Sequence, residues 1–471
     1  MNFSDNTPYD VLTEKWNPVL DHGALPDIKD DYRKKVTAVL LENQEQAIRS
    51  QNLTEDVTSN NLGMPTSYSN VGAVSGYDPV LISLVRRSMP NLMAYDICGV
   101  QPMTAPTGLI FAMRSSYNNN PAGQTYGNAN YVEAMFQEPV PGWGGSGWTF
   151  DAQTKALKGL CGFSGGTDPN TVRSGGAAGL AAIRGILTNY GEAIGSASGT
   201  APYTSWNQMA FSIDRVAVQA RTRALSSNYT IELAQDLKAV HGLDAEAELA
   251  NLLSTEILAE INREIVRTIY YVARNGSQQV DLKAGGSYDL DQDSDGRWSA
   301  ERFRGLSFQI ERECNAIAKE TRRGKGNFII CDSDTAAALA MSGFMSLSPA
   351  IAPQLNVDDT QSTFAGILSG KIKVYIDPYT PAGVNFFVAG YKGESPYDAG
   401  IFYCPYVPLQ MVRAVDPNTF QPRIAFKTRY GVVANPFVLN SSGQPDGETL
   451  TAGLNQYYRF TAVTNLHGNT L

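Results

Sequence analysis

Residues 245–273 read AEAELANLLSTEILAEINREIVRTIYYVA, and this stretch decides the architecture. Leu249, Leu252, Leu253, Ile257, Ile261, Ile265, Ile269 and Val272 recur mostly at three- and four-residue steps, so the spacing predicts one amphipathic helix of about eight turns, a spine for whatever packs around it. A second helix is predicted over 300–321, carried by Phe303, Leu306, Ile310, Cys314 and Ile317. Beyond it the period falls to two. KIKVYID (371–377) sets Ile372, Val374 and Ile376 against Lys371, Lys373 and Tyr375, and VNFFVAG, GIFYCPYV, RIAFKTRYGV and YYRFTAV follow with turn signals between them. Upstream, FSIDRVAVQARTRAL (211–225) reads as a strand running into a helix. Helices and strands in separate runs, with no βαβα rhythm, place the chain in the α+β class.

The front of the chain is different. Residues 9–50 carry Val11, Leu12, Trp16 and Leu20, then Val36, Val39 and Leu40, spaced for two short amphipathic helices around a turn near His22 and Gly23. Met1 to Glu55 holds ten acids and six bases, a net −4 of the chain's formal −9. Such a leader is too small and too polar to build a core, so it must lean on something else. It ends within SQNLTEDVTSNN (50–61), where a helix-poor polar segment begins. Farther on, 17 of the 43 glycines fall between Asn118 and Thr200, which marks a loop-rich insertion that needs support from its neighbours.

At 471 residues and 43% hydrophobic composition, the chain is long enough for two to four lobes with real cores. No run of Lys and Arg interrupts its acidic balance, which argues against sequence-specific duplex binding. Cys98, Cys161, Cys314, Cys331 and Cys404 have no CxxC spacing and read as reduced, mostly buried thiols in a cytosolic setting. The N-terminus carries acids where a signal peptide needs bases, and no apolar run reaches the roughly 18 residues of a membrane span.

Four local patterns offer chemistry, and each has a plainer reading. Gly162-Phe163-Ser164-Gly165-Gly166 fits GxSxG but lacks the strand before and the helix after that a nucleophile elbow requires, and only His22, His241 and His467 are available as bases. DLDQDSDG places Asp291, Asp293, Asp295 and Gly296 at calcium-loop positions, yet Arg302 stands where the bidentate glutamate belongs; the reading is an acidic turn before a helix with Ser299 as its N-cap. Glu256, Glu260 and Glu264 with Arg263 and Arg267 form a charged face, solvated or paired with a neighbouring chain, rather than a carboxylate metal site. RRGKGN (322–327) is a basic turn and not a phosphate cradle. These patterns give no catalytic residue, metal ligand or cofactor site.

Four long segments, RRSMPNLMAYDICGVQPMTAPTGLIFAMR (86–114), YTIELAQDLKAVHGLDAEAELANLLSTEILAEINREIV (229–266), YDAGIFYCPYVPL (397–409) and FQPRIAFKTRYGVVANPF (420–437), closely resemble the major capsid proteins of T-even-type contractile-tailed bacteriophages. The resemblance is collinear over nearly the whole chain. It implies the Hong Kong-type tailed-phage capsid fold: a cleavable scaffolding leader at 1–55, an N-terminal arm at 56–115, an extended loop with the Gly-rich insertion at 116–225, a peripheral domain with the spine helix at 226–299, a mostly axial domain at 300–425, and C-terminal strands returning to the peripheral domain at 426–471. It also implies removal of the leader by a prohead protease that cuts after a glutamate preceded two residues earlier by Leu or Ile. Leu53-Thr54-Glu55, followed by Asp56, has that form; Leu12-Thr13-Glu14 and Leu40-Leu41-Glu42 share it as candidate secondary sites.

The function so implied is a head-shell protein that forms capsomers, hexamers in the first instance, around double-stranded DNA that it encloses without reading its sequence. Implied partners are further copies of the chain, a vertex protein, a portal, an internal scaffold, the prohead protease and decoration proteins. The implied location is the virion capsid, with assembly in the host cytoplasm. The acidic balance agrees with a wall that does not hold its genome tightly. Two alternatives stand beside this reading: the pentameric vertex protein of the same family, and a calcium-binding surface module built on 291–296.

Overall fold

The computed structural model describes residues 8–21, 30–58, 92–117, 209–279, 285–347, 364–438 and 446–466, apart from single positions, with a few isolated residues between these stretches. The chain divides into two units: Met1–Leu109, Ala217–Val438 and Asp446–Leu471 form the first, Ile110–Val216 and Leu439–Pro445 the second.

In chain order the described helices are α1 (Pro8–Leu20), α2 (Asp31–Thr58), α3 (Ala94–Ile97), α4 (Ile231–His241), α5 (Ala245–Val272), α6 (Ser299–Thr321) and α7 (Ser333–Met341). The strands are β1 (Gly99–Val100), β2 (Thr107–Tyr117), β3 (Met209–Gln219), β4 (Arg221–Asn228), β5 (Ala273–Asn275), β6 (Ser287–Asp289), β7 (Phe328–Cys331), β8 (Met345–Leu347), β9 (Phe364–Leu368), β10 (Ile372–Ile376), β11 (Asn385–Gly390), β12 (Ile401–Val415), β13 (Pro422–Ala434) and β14 (Asn455–Thr464).

The spine is α5. Its first turn is capped by Asp244, whose carboxylate accepts the Glu246 N–H at 3.1 Å. Leu253, Ile257, Ile261, Ile265 and Ile269 step by four residues and are all buried. Leu252 departs from the expected stripe. It sits about 100° round the helix from Leu253 and is 64% exposed.

The second predicted helix is α6, with Phe303, Leu306, Ile310, Cys314 and Ile317 buried as expected. Ser299 is its first residue, not its cap; Trp298 holds the cap position, and the Glu301 carboxylate accepts the Trp298 N–H at 3.4 Å. From the buried face of α6, Glu313 accepts from Ser277 N at 3.0 Å, Gln279 Nε2 at 2.7 Å, Gln309 Nε2 at 2.9 Å and Arg459 Nη1 at 3.3 Å. A carboxylate so far from water is tolerable only with this number of donors.

Among the described residues the strands of the first unit form two sheets. The larger runs β5-β14-β11-β7-β10-β9-β8, with β6 also on β14. Its middle strands β7 and β11 are buried on both faces, which is why VNFFVAG lacks a clean alternation. Gly390 on β11 is required there, since a Cβ would lie 2.2 Å from the Phe328 ring. KIKVYID keeps its predicted strand but not its strict period. A register shift between Val374 and Tyr375 turns the Tyr375 ring into the core and leaves Ile376 half-buried.

The smaller sheet runs β1-β12-β13-β4. Here the expected strand-to-helix passage at 211–225 is replaced by two strands, β3 and β4. The segment from Arg221 to Asn228 pairs antiparallel with β13 from Tyr430 to Arg423 without a break, and that ladder overrides the local helix pattern.

Candidate assembly surfaces and processing site

The leader begins with two helices packed against each other, and the second is not short: α2 runs 28 residues, through Ser50 to Thr58, so the predicted boundary at 50–61 is crossed by helix. Trp16, Leu20, Val36, Ala38, Leu40 and Leu41 are buried in the same core as Met89, Leu92, Met93, Tyr95, Ile97 and Val100. Val11, expected among the packing positions, faces solvent. The leader does lean on the rest of its own chain, with α2 lying against β12.

Polar contacts fix the register of that docking. The Asn43 carboxamide donates to Met103 O at 2.8 Å and Tyr406 O at 3.0 Å, the Tyr32 hydroxyl donates to Val100 O, and Arg33 pairs with Asp96 at 2.5 Å. Arg86 donates to Leu20 O at 2.7 Å, closing the end of α1. Between the two helices, Lys15 reaches Glu42 and Glu45 at 2.6 Å each, and Trp16 Nε1 donates to Glu42 at 3.1 Å. Burial is the largest influence on the Glu42 carboxyl and pushes it up, but the hydrogen bonds and charge from Lys15 and Trp16 together hold it below its usual 4.5. Buried in the same helix turn, Gln44 leaves both atoms of its carboxamide without a hydrogen-bond partner.

Leu53, Thr54, Glu55 and Asp56 fall in the last turns of α2, and their side chains lie outside the described residues. Leu12, Thr13 and Glu14 lie on α1; Leu40, Leu41 and Glu42 lie at the centre of the docked stretch.

Elsewhere the chain leaves apolar groups bare in patterns. On β2, Leu109, Phe111 and Met113 face solvent while Ile110 and Ala112 are buried; on β3, Met209, Phe211 and Ile213 are exposed in turn, Phe211 at 70%. The two strands pair as a ribbon of their own. Helix α4 is firmly made, with Thr230 Oγ1 accepting Leu233 N–H at 3.2 Å and Gly242 closing it at φ 68°, yet none of its residues is buried. Ile231, Leu233 and Val240 on α4 stand exposed, as do Leu243 beyond it and Leu252 on α5. Apolar side chains repeated along one element, unlike scattered ones, mark a surface meant for a partner.

The sequence patterns with chemical overtones resolve into structure where they are described. Arg302, at the position of the calcium loop's missing glutamate, instead donates to Asp291 at 2.5 Å, while Asp293 accepts from Asp289 N at 3.0 Å; Asp295 lies outside the described residues. Part of the charged face of the spine is satisfied within the chain, where Arg223 on β4 bonds Glu260 at 2.8 Å and Glu264 at 2.7 Å, while Glu256 and Arg267 stand exposed as expected. The Tyr430 hydroxyl donates to Glu264, its phenol pushed up by burial and by that carboxylate. Arg263 turns away to Asp377 at 2.7 Å, an ion pair that alternation on one helix does not reveal. In the basic turn, Arg323 stacks on the Phe437 ring at 3.8 Å and Lys325 pairs with Glu311. The GxSxG stretch, Cys161, His22 and His467 lie outside the described residues, and His241 ends α4. Burial pushes the Cys98, Cys314 and Cys404 thiols up to about 12, and Cys331 higher still. No helix among the described residues is long and apolar enough to cross a membrane.

A filled core combined with bare apolar ribbons and a helix without a buried side is the design of a structural subunit completed by its neighbours. Comparison with known proteins gives that class its family. The family described as major capsid protein Gp23 matches residues 74–463. The chain is 36% identical over 499 residues to the major capsid protein of Enterobacteria phage T4, covering 94% of each, and 35% identical over 515 residues to that of Vibrio phage KVP40, covering 97% of this chain and 100% of that one. The capsid vertex protein of Enterobacteria phage T4 aligns over 242 residues only, at 29% identity, covering 49% of this chain. Among solved structures, the capsid of Myoviridae phage XM1 shares 8% identity over 78% of this chain, with a TM-score of 0.35. The chain belongs to the Gp23 major capsid protein family of T-even-type bacteriophages, a component of the virion shell. The vertex alternative, matched over half the chain at lower identity, gives way to this reading.

Proposed function

We propose that this chain forms hexameric capsomers that tile a closed head around double-stranded DNA, and that the shell matures when a prohead protease cuts after Glu55, removing residues 1–55. The observation that carries the assembly half is the apolar ribbon of Leu109, Phe111, Met113, Met209, Phe211 and Ile213, a surface that a lone chain exposes at a cost and a ring of copies covers. Each covered ribbon contributes modestly, and many weak contacts acting together hold a wall while still allowing misplaced subunits to leave. In this reading 56–115 is the arm, 116–225 the extended loop, 226–299 the peripheral domain and 300–425 most of the axial domain, with 426–471 returning to the peripheral domain. The vertex protein, portal, internal scaffold, protease and decoration proteins are its partners, assembled in the host cytoplasm, and the chain itself has no catalytic role.

Electron microscopy of the chain expressed alone tests the assembly half. Sheets, tubes or closed shells are expected, and Phe211→Asp is expected to abolish them while leaving a folded subunit. A wild-type chain that stays monomeric at high concentration, with partners supplied, overturns the reading.

A further inference from the structure

We infer that α1 and the first half of α2, residues 8–20 and 31–47, are a ligand of their own chain: a pair of packed helices seated on α3, β1 and β12 that outlasts the cut at Glu55 and is released only when it undocks and the bond after Glu42 opens. The inference rests on the proteolytic reading for its timing, and on geometry for the seat.

Two kinds of contact hold the pair. An apolar anchor, Trp16, Leu20, Val36, Leu40 and Leu41, shares the core of the body, and a polar anchor, Asn43, satisfies two main-chain carbonyls of that body. Neither anchor depends on covalent continuity through residue 55, which lies about 18 Å farther along α2 at helical rise. Cutting there severs the chain and leaves every one of these contacts in place. The excised leader then stays bound through these contacts alone, without the effective concentration that the covalent tether supplied.

The bond after Glu42 is shielded by the same contacts. Leu40 and Leu41 have no exposed surface, and the Glu42 carboxylate is held by Lys15 and Trp16. A protease that reads this glutamate and the leucine two residues before it must first have the segment out of its seat and out of its helix. Once that happens, the cut falls between the two anchors, separating Leu40 and Leu41 from Asn43. Neither fragment retains both, and rebinding is lost. Gln44 sets the balance. Its unpaired buried carboxamide disfavours the docked state, so the seat holds the leader without trapping it.

A glutamate-specific endoproteinase applied to the intact chain, with products followed by mass spectrometry, tests the seat without the phage enzyme. Cleavage after Glu42 is expected to be at least about tenfold slower than after Glu55, and the 1–55 fragment is expected to co-elute with 56–471 after the first cut. Asn43→Ala is expected to speed the Glu42 cut by roughly tenfold, and Gln44→Leu to slow it, with the Glu55 rate unchanged in both. Cleavage after Glu313, fully buried in the body, is expected to stay unchanged in both variants, which excludes general unfolding as the cause. Equal rates at the two glutamates, or immediate separation of 1–55, overturn the seat. A prohead protease that leaves Glu55 intact, alongside protection of Glu42 from the general enzyme, overturns the processing reading and leaves the seat standing.

Discussion

Two helices of this chain have the same length, 28 residues, and opposite construction. The spine α5 is capped by Asp244, buries a stripe from Leu253 to Val272, and is tied on its charged face through Arg223 and Arg263 to β4 and to Asp377. In α2 the buried side chains described lie between Val36 and Gln44, one of them an unpaired carboxamide. The spine is anchored along its whole length, whereas the described buried contacts of the leader helix lie in its N-terminal half. Length and helicity alone do not separate the spine from the helix proposed to be removed; the distribution of described buried contacts does.

Truncating the spine should do the most damage. Ile261→Ala removes a fully buried side chain from its centre and is expected to cost about 2–5 kcal/mol, read as a lowered urea midpoint of the unassembled chain. Leu40→Ala deletes a side chain equally buried, but in the seat. It is expected to leave the spine's slow-exchanging amides unchanged while hydrogen exchange rises across residues 8–20 and 31–47, with little change in the midpoint. If both substitutions lower the midpoint alike, the leader is part of the cooperative core and the contrast fails.

The smallest effect is expected from pH. Glu42 has its carboxyl held below 4.5, so its contribution to docking is present above that value and is lost as pH falls through the lower folded value. Lys15 is affected most by burial, which lowers it, but the bonds to Glu42 and Glu45 together raise it above 10.5; its contribution is present below that value and lost as pH rises through the higher one. Protection of the leader amides relative to their intrinsic exchange rates is therefore expected to be greatest between about pH 5 and pH 10 and to fall below pH 4.5, modestly, because Lys15 is half exposed. The spine, held mainly by apolar contacts, is expected to show less response over the same acid range.

Much of this was legible in the sequence because it rests on local periodicity. The four-residue step from Leu253 to Ile269 specified the spine, and Phe303 to Ile317 specified α6. What escaped depends on partners distant in the chain. Arg221 to Asn228 becomes a strand because β13 lies beside it, Tyr375 turns inward because of a register shift, and Glu264 finds Arg223 across 41 residues. In the leader, Trp16, Leu20, Val36 and Leu40 were readable as a packing face, but the seat was not, since Asn43 gains its meaning from the carbonyls of Met103 and Tyr406. The length of α2 was missed because its C-terminal half is polar and carries no apolar stripe to extend the pattern.

The most direct test weighs the chain inside finished particles. Intact mass of the shell subunit is expected to match a polypeptide that starts at Asp56 and keeps the spine whole, with fragments ending at Glu42 in the particle or its release fraction. A shell built from chains that still carry Met1 to Glu55 would contradict the account.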